Sequence, residues 1–211
     1  MNIPNKLTIS RIVMSILIVI ILLIPFDAIG MPLPKLFVNE LIVIDLKYII
    51  AGLLFVFASL TDLLDGYLAR KKKCVTDLGK MLDAIADKIL VNPVLIILAA
   101  TGFIHPIIPV LLVMRDSIVN ALKMEASSHG KVIGAIKLGK AKTVCLMLGT
   151  ILTLFYNMPF ELFNLKISEF LLIVATVLSA ISGIQYYNIV KKKNTDLPNL
   201  NENENKNVES V

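Results

Sequence analysis

Apolar residues in this chain run in six long blocks separated by short charged or turn-rich punctuation. The blocks cover residues 7–26, 44–64, 81–104, 106–122, 143–156 and 167–190. Most approach the roughly 20 residues that a helix, rising 1.5 Å per residue, needs to cross about 30 Å of hydrocarbon. A membrane β-barrel would instead show alternating segments of about ten residues, and none is visible. The pattern predicts an all-α polytopic membrane protein with six transmembrane helices, built as one domain over residues 1–193. Residues 194–211, rich in Asn and Glu, are expected to form a disordered cytosolic tail. Lys6 and Arg11 give the first block the look of a signal peptide, but Pro25, Phe26 and Asp27 offer no small-residue cleavage site. It is expected to stay as a helix.

Composition supports the same class: 56% of the 211 residues are hydrophobic and Trp is absent, with a mean hydropathy of +0.80. A soluble domain must present a wetter surface than that. The net charge of +5 raises the question of nucleic acid. The basic residues, however, sit at the ends of apolar blocks without aromatic interleaving, which argues against a nucleic-acid partner. Arg70, Lys71, Lys72, Lys73 and Lys80 fill one loop, Lys123, Lys131, Lys137, Lys140 and Lys142 another, and Lys191 to Lys193 open the tail. The alternate loops hold only Lys35, Lys47 and Lys166. The positive-inside rule then places both termini and the two basic loops in the cytosol, which requires an even number of spans. Cys74 and Cys145 have no metal-site or disulfide spacing, and His105 and His129 have no ligand company.

Acidic side chains near a span cost about 2.5–3.5 kcal/mol each on insertion scales, so they persist where a partner or a function compensates. Asp62 and Asp65, three apart at the cytosolic end of the second block, share one helical face. Asp83 and Asp87, four apart near the start of the third, share another, with Gly79 on the same stripe. The short basic connection makes the two helices antiparallel, so their acidic ends meet. Four converging carboxylates repel unless protonated or bridged, and an oxygen-only donor set suits hard ions such as Mg²⁺ or Mn²⁺. Two such ions about 3.5–4 Å apart can clamp a diphosphate undergoing in-line displacement. Gly66 lets a ligand or the facing helix approach the backbone, Ala69 keeps the face shallow, and Arg70 supplies a bidentate donor suited to phosphate. The bland alternative is a set of interfacial acids paired with Arg70, Lys80 and Lys88, but surface pairing does not need four acids on two facing stripes.

Written out, Asp62, Asp65-Gly66, Ala69-Arg70, Gly79, Asp83 and Asp87 resemble the signature of the CDP-alcohol phosphatidyltransferases, with all eight specified positions present at the family's spacing. NIPNKLTISR at 2–11, LDAIADK at 82–88 and LGKAKT at 138–143 are similar to segments of the bacterial phosphatidylglycerophosphate synthases within that family. The resemblance implies six transmembrane helices in the bacterial cytoplasmic membrane, a homodimer, two divalent ions, and attack of an alcohol on the β-phosphorus of a CDP-lipid with loss of CMP. It implies Asp62, Asp65, Asp83 and Asp87 as metal ligands and Asp87 also as general base. CDP-diacylglycerol would sit over Asp62, Gly66, Ala69, Arg70 and Gly79, with Thr76 donating a hydroxyl and Asn5 and Thr8 closing the site. Thr76 has a rival role as a helix cap, as do Asn5 and Thr8.

The acceptor must be inferred from the remaining charges. Arg115 and Asp116 interrupt the fourth block, where an ionisable pair should face the bundle interior. Lys123, Lys137, Lys140 and Lys142 crowd the cytosolic ends of the fourth and fifth helices. A cation-lined pocket suits an acceptor that carries a phosphate, such as glycerol 3-phosphate, better than serine or neutral inositol. Most of these lysines also satisfy the positive-inside rule and would meet anionic head groups. The synthases often have Arg-Glu where this chain has Arg115-Asp116, and Arg where Lys123 stands. Competing expectations are a sister transferase acting on inositol phosphate, serine or phosphatidylglycerol, and a divalent-cation transporter; the transporter would place its acids near the bilayer midplane.

Overall fold

The computed structural model describes residues 3–26, 29–31, 33–38, 42–72, 77–128 and 136–195, with the side chains of 3–6, 38, 42, 63–72, 77–78, 80–81, 128 and 192–195 left aside. Six helices carry the chain: α1 Ile3–Leu23, α2 Leu46–Lys72, α3 Asp77–Ala100, α4 Ile107–Ser128, α5 Lys137–Leu154 and α6 Ile167–Thr195. Each predicted apolar block lies mainly on one of them. The fold is therefore mostly helical, with one addition: strands β1 (Lys35–Val38) and β2 (Ile42–Asp45) form an antiparallel hairpin between α1 and α2, with Leu36 opposite Ile44 and Phe37 opposite Val43. The hairpin corrects the second block. Ile44 and Asp45 belong to β2, where β-branched residues in succession favour a pleated ribbon, and the helix starts at Leu46. The fifth helix likewise begins six residues before Thr143, because hydropathy marks the apolar run while Lys137 and Lys140 are good helix formers.

Helix α1 packs on α2 and α3, α6 packs on α4 and α5, and the two groups share one core. Ile18, Phe55, Val94, Leu95, Leu98, Leu112, Leu154 and Leu172 are almost wholly enclosed there. The α5–α6 contact depends on Gly149, since a Cβ at that position would lie 2.9 Å from Leu172 Cγ. At the hairpin end Tyr48, Phe103 and Tyr156 stack with ring centroids 4.8–5.7 Å apart. Tyr156 Oη accepts the Asp45 N–H at 3.1 Å, which pins the foot of the hairpin to the end of α5.

The outward faces are apolar. Val13, Ile16 and Ile20 on α1, Phe57 on α2, Val110, Met114 and Ile118 on α4, and Phe170, Val177 and Ile184 on α6 are all exposed. So many exposed large apolar side chains exceed what a water-soluble monomer ordinarily presents. Among the described residues one helix, Ile167–Lys191, is long and apolar enough by itself to cross a membrane.

Candidate functional site

The acidic end of the bundle is organised by Arg11. Its side chain is 0% exposed on α1, and Nη1 contacts Asp62 of α2 and donates to Asp83 Oδ1 of α3 at 3.1 Å. One cation thus ties three helices together. Asp87 stands one turn beyond Asp83 on α3, and with Asp62 it lines an open cavity of about 440 Å³. The three aspartates with described side chains therefore gather at one end of α2 and α3, as the antiparallel reading requires.

The cavity's other walls come from α4, α5 and α6. Arg115, Asp116 and Lys123 reach it from α4, Lys140 and Lys142 from α5, and Tyr186 from α6. Lys142 is buried, and its Nζ donates to both carboxylate oxygens of Asp116 at 2.9 and 3.0 Å. Arg115 Nη1 donates to Asp116 Oδ1 at 2.8 Å, Nη2 to Ser182 Oγ at 2.6 Å and Nε to the Ser179 carbonyl at 3.0 Å. Lys123 Nζ lies 4.8 Å from the centre of the Tyr186 ring, a cation–π distance, and Tyr186 Oη accepts the Ile136 N–H at the entry to α5. A small void of about 20 Å³ is lined jointly by Asp87, Asp116 and Lys142, so the acidic and basic halves face each other directly.

Of the residues singled out in the sequence, Asp62, Asp87, Arg115, Lys123, Lys140 and Lys142 line one cavity. Asp83 joins them through Arg11. Thr8 is buried on α1, Gly79 is partly buried near the start of α3, and Lys137 is exposed at the start of α5 without being among the residues lining the cavity. Asn5, Asp65, Gly66, Ala69 and Arg70 lie within helices but their side chains fall outside the described ones, and Thr76 falls outside the described residues. Arg11 is the functional candidate that hydropathy missed, because a basic residue near the start of an apolar block satisfies the positive-inside rule. The signal that reveals it is spacing: Thr8, Arg11 and Ser15 recur every three or four residues and form a buried polar stripe on α1.

Among the described residues no three His, Cys, Asp or Glu side chains form a metal-holding group. The donor chemistry nevertheless suits a hard divalent ion: carboxylate oxygens from two helices, Asp62 of α2 and Asp87 of α3, line one open cavity.

A family model described as CDP-alcohol phosphatidyltransferase matches residues 1–181. The CDP-diacylglycerol–glycerol-3-phosphate 3-phosphatidyltransferase of Bacillus subtilis (strain 168) is 36% identical over 186 residues, covering 88% of this chain and 93% of the relative. Its counterpart in Rickettsia bellii (strain RML369-C) is 32% identical over 192 residues, covering 90% and 96%. Among solved structures, Mycobacterium tuberculosis phosphatidylinositol phosphate synthase with CDP-DAG bound superposes with a TM-score of 0.58 at 21% identity, covering 89% of this chain and 85% of that one, a likeness of fold. With the eight-position signature, the six-helix architecture and a family match over most of its length, the chain belongs to the CDP-alcohol phosphatidyltransferase family.

Proposed function

We propose that this protein is an integral enzyme of the bacterial cytoplasmic membrane that transfers the phosphatidyl group of CDP-diacylglycerol to sn-glycerol 3-phosphate, releasing CMP and phosphatidylglycerophosphate. The observation that carries the reading is the shared cavity, in which Asp62 and Asp87 face Arg115, Lys123, Lys140 and Lys142. One wall suits the metal-bound diphosphate of a CDP-lipid; the other suits an acceptor bearing its own phosphate. The relatives named above carry the same acceptor in their names.

On this reading Asp62, Asp65, Asp83 and Asp87 hold two Mg²⁺ or Mn²⁺ ions. When bound, the ions neutralise the acids and polarise the diphosphate. Asp87, on the wall nearest Lys142, takes the proton of the attacking hydroxyl. Arg11 holds Asp62 and Asp83 in fixed orientations. Gly66, Ala69, Arg70, Thr76, Gly79, Asn5 and Thr8 belong to the CDP-lipid side, and the cations of α4 and α5 form the acceptor-phosphate side. The exposed apolar side chains support membrane spans, and the distribution of Lys and Arg along the sequence supports six of them with the acidic end and both termini in the cytosol, where glycerol 3-phosphate and CMP exchange with water. The enzyme works as a homodimer.

The test is CMP release by purified protein given CDP-diacylglycerol and Mg²⁺ or Mn²⁺, with glycerol 3-phosphate, inositol phosphate, serine, phosphatidylglycerol or no acceptor. Release is expected with glycerol 3-phosphate. Release only with another acceptor overturns the acceptor assignment, and none with any overturns the enzyme.

A further inference from the structure

Two cations in the basic half of the cavity, Arg115 and Lys142, are not equivalent. Arg115 commits each of its three guanidinium nitrogens to the protein, to Asp116, Ser182 and the Ser179 carbonyl. Its stem lies against α6 where Gly183 leaves room, since a Cβ there would come within 3.3 Å of Arg115 Cγ. An arginine held at every nitrogen in this way has its orientation fixed before any substrate arrives. Lys142 is held differently. Its single nitrogen meets the two oxygens of one partner, Asp116, which leaves one of its three donors; Arg115 keeps two of five, but it is Lys142 and not Arg115 that lines the void beside Asp87. That nitrogen belongs to a side chain lining both the main cavity and the small void shared with Asp87.

Helices α4 and α5 each pack on α6 and face one another across the cavity. The Asp116–Lys142 pair spans that gap, and Arg115 ties the Asp116 end of the pair to α6. One carboxylate between two cations leaves a net positive charge of one at this point, placed beside Asp87.

We propose that Asp116 and Arg115 are positioning residues that hold the Lys142 ammonium on the cavity wall facing Asp87, and that Lys142 is the cation that contacts the acceptor's phosphate. The proposal rests on the glycerol 3-phosphate reading and goes beyond it in assigning Arg115 to α6 and Asp116, away from direct contact with the acceptor. Specificity for a phosphorylated alcohol then comes from an ammonium that Asp116 holds in a fixed location, beside Lys88 of α3, which lines the same two spaces. Lys123 and Lys140, exposed and outside this network, add charge to the entrance.

The experiment is steady-state CMP release by the full-length purified protein, with glycerol 3-phosphate and CDP-diacylglycerol varied separately. Asp116→Asn keeps the shape and removes the charge that holds Lys142. It is expected to raise the KM for glycerol 3-phosphate by at least about tenfold, the scale of one charge-assisted hydrogen bond lost. The KM for CDP-diacylglycerol should stay within about twofold. Lys142→Gln should cost as much or more. In the Lys142→Gln background, Asp116→Asn and Arg115→Gln should each add little, because both act through the missing ammonium. Gly183→Ala changes no charge and presses on Arg115; it should raise the same KM with the Asp116 carboxylate still in place.

Should Asp116→Asn fail to fold, Gly183→Ala and the Lys142 background decide the matter alone. An unchanged KM for glycerol 3-phosphate in the Asp116 and Gly183 variants overturns the proposal. So does a further large loss from Arg115→Gln when Lys142 is already absent, which would mean that Arg115 touches the acceptor itself. Wild-type protein that releases no CMP with glycerol 3-phosphate overturns instead the reading on which the proposal stands.

Discussion

Replacing Arg11 by Met tests whether the acidic site is held together by an internal cation. The guanidinium is 0% exposed while Asp62 and Asp83 side chains are 27% and 57% exposed, so the pair is buried on the basic side and reaches solvent on the acidic side. Removing one partner of a fully buried ion pair costs about 3–5 kcal/mol, mostly by leaving the other charge without compensation. Here the acids keep some water, and Asp83 is screened enough that its contact contributes little. The expected loss is about 2–3 kcal/mol, most of it from Asp62. For a chain of this size that lowers Tm by roughly 5–10 °C. The measurement is thermal unfolding of the detergent-solubilised protein in EDTA, so that no divalent ion compensates Asp62, by far-ultraviolet circular dichroism, with CMP release assayed separately in Mg²⁺. Arg11→Lys, which keeps a charge on a shorter stem, should recover about half of the loss. The decisive arm is Arg11→Met combined with Asp62→Asn, which removes both charges. It should be more stable than Arg11→Met alone, because the cost lies in the uncompensated carboxylate. Melting of Arg11→Met within about 1 °C of wild type, or a double variant that merely sums the two losses, would refute this account.

Asp87→Asn is expected to abolish CMP release while leaving the protein monodisperse and its melting temperature within a few degrees of wild type; normal turnover would remove Asp87 from the base role. Chelation by EDTA should stop turnover, and Mg²⁺ or Mn²⁺ should restore it while Ca²⁺, larger and looser in its coordination, restores little; activity untouched by exhaustive chelation contradicts the metal assignment. Gly149→Ala places a Cβ 2.9 Å from Leu172 Cγ. The overpacking should outweigh the helix-propensity gain of about 1 kcal/mol and lower Tm by several degrees, and adding Leu172→Ala should return part of it. Truncation after Lys193 should leave kcat and both KM values unchanged, and a drop in either would give residues 194–211 a role in the site.

The helices and the acidic pairing were legible in the sequence for different reasons. Long apolar blocks without strand-like alternation specify helices whatever their detailed packing, so six blocks correspond to six helices. Asp83 and Asp87 share a face by periodicity alone, and a short connection brings Asp62 to the same end. What escaped depends on tertiary neighbours or on a change of period. Ile42 to Asp45 pair with Lys35 to Val38 in four-residue strands too short to stand out against the apolar run that follows. Lys142 reads as one of several loop lysines, and only folding brings it to Asp116, 26 residues earlier.

Arg11 shows where the reading of charge near a membrane needs a second criterion. Distance from the end of an apolar block assigns a basic residue to the head-group layer, and by that measure Arg11 and Lys6 are alike. The face it occupies separates them. Thr8, Arg11 and Ser15 lie on the stripe of α1 that continues into Ile18 and Leu22, all buried, whereas Ile9, Val13, Ile16 and Ile20 face outward. The same logic picks out Ser182 on α6, a buried polar residue with Gly183 beside it, whose hydroxyl receives Arg115 together with the Ser179 backbone carbonyl one turn earlier. In a chain whose outer surface is apolar, a charged residue on the inward stripe has no water to satisfy it and must meet a partner from another helix, whereas a hydroxyl can turn back on its own, as Ser15 does to the Arg11 carbonyl. Such stripes locate the interior charges from one sequence, and the acids they imply, Asp62 for Arg11 and Asp116 for Arg115, line the cavity together with Asp87.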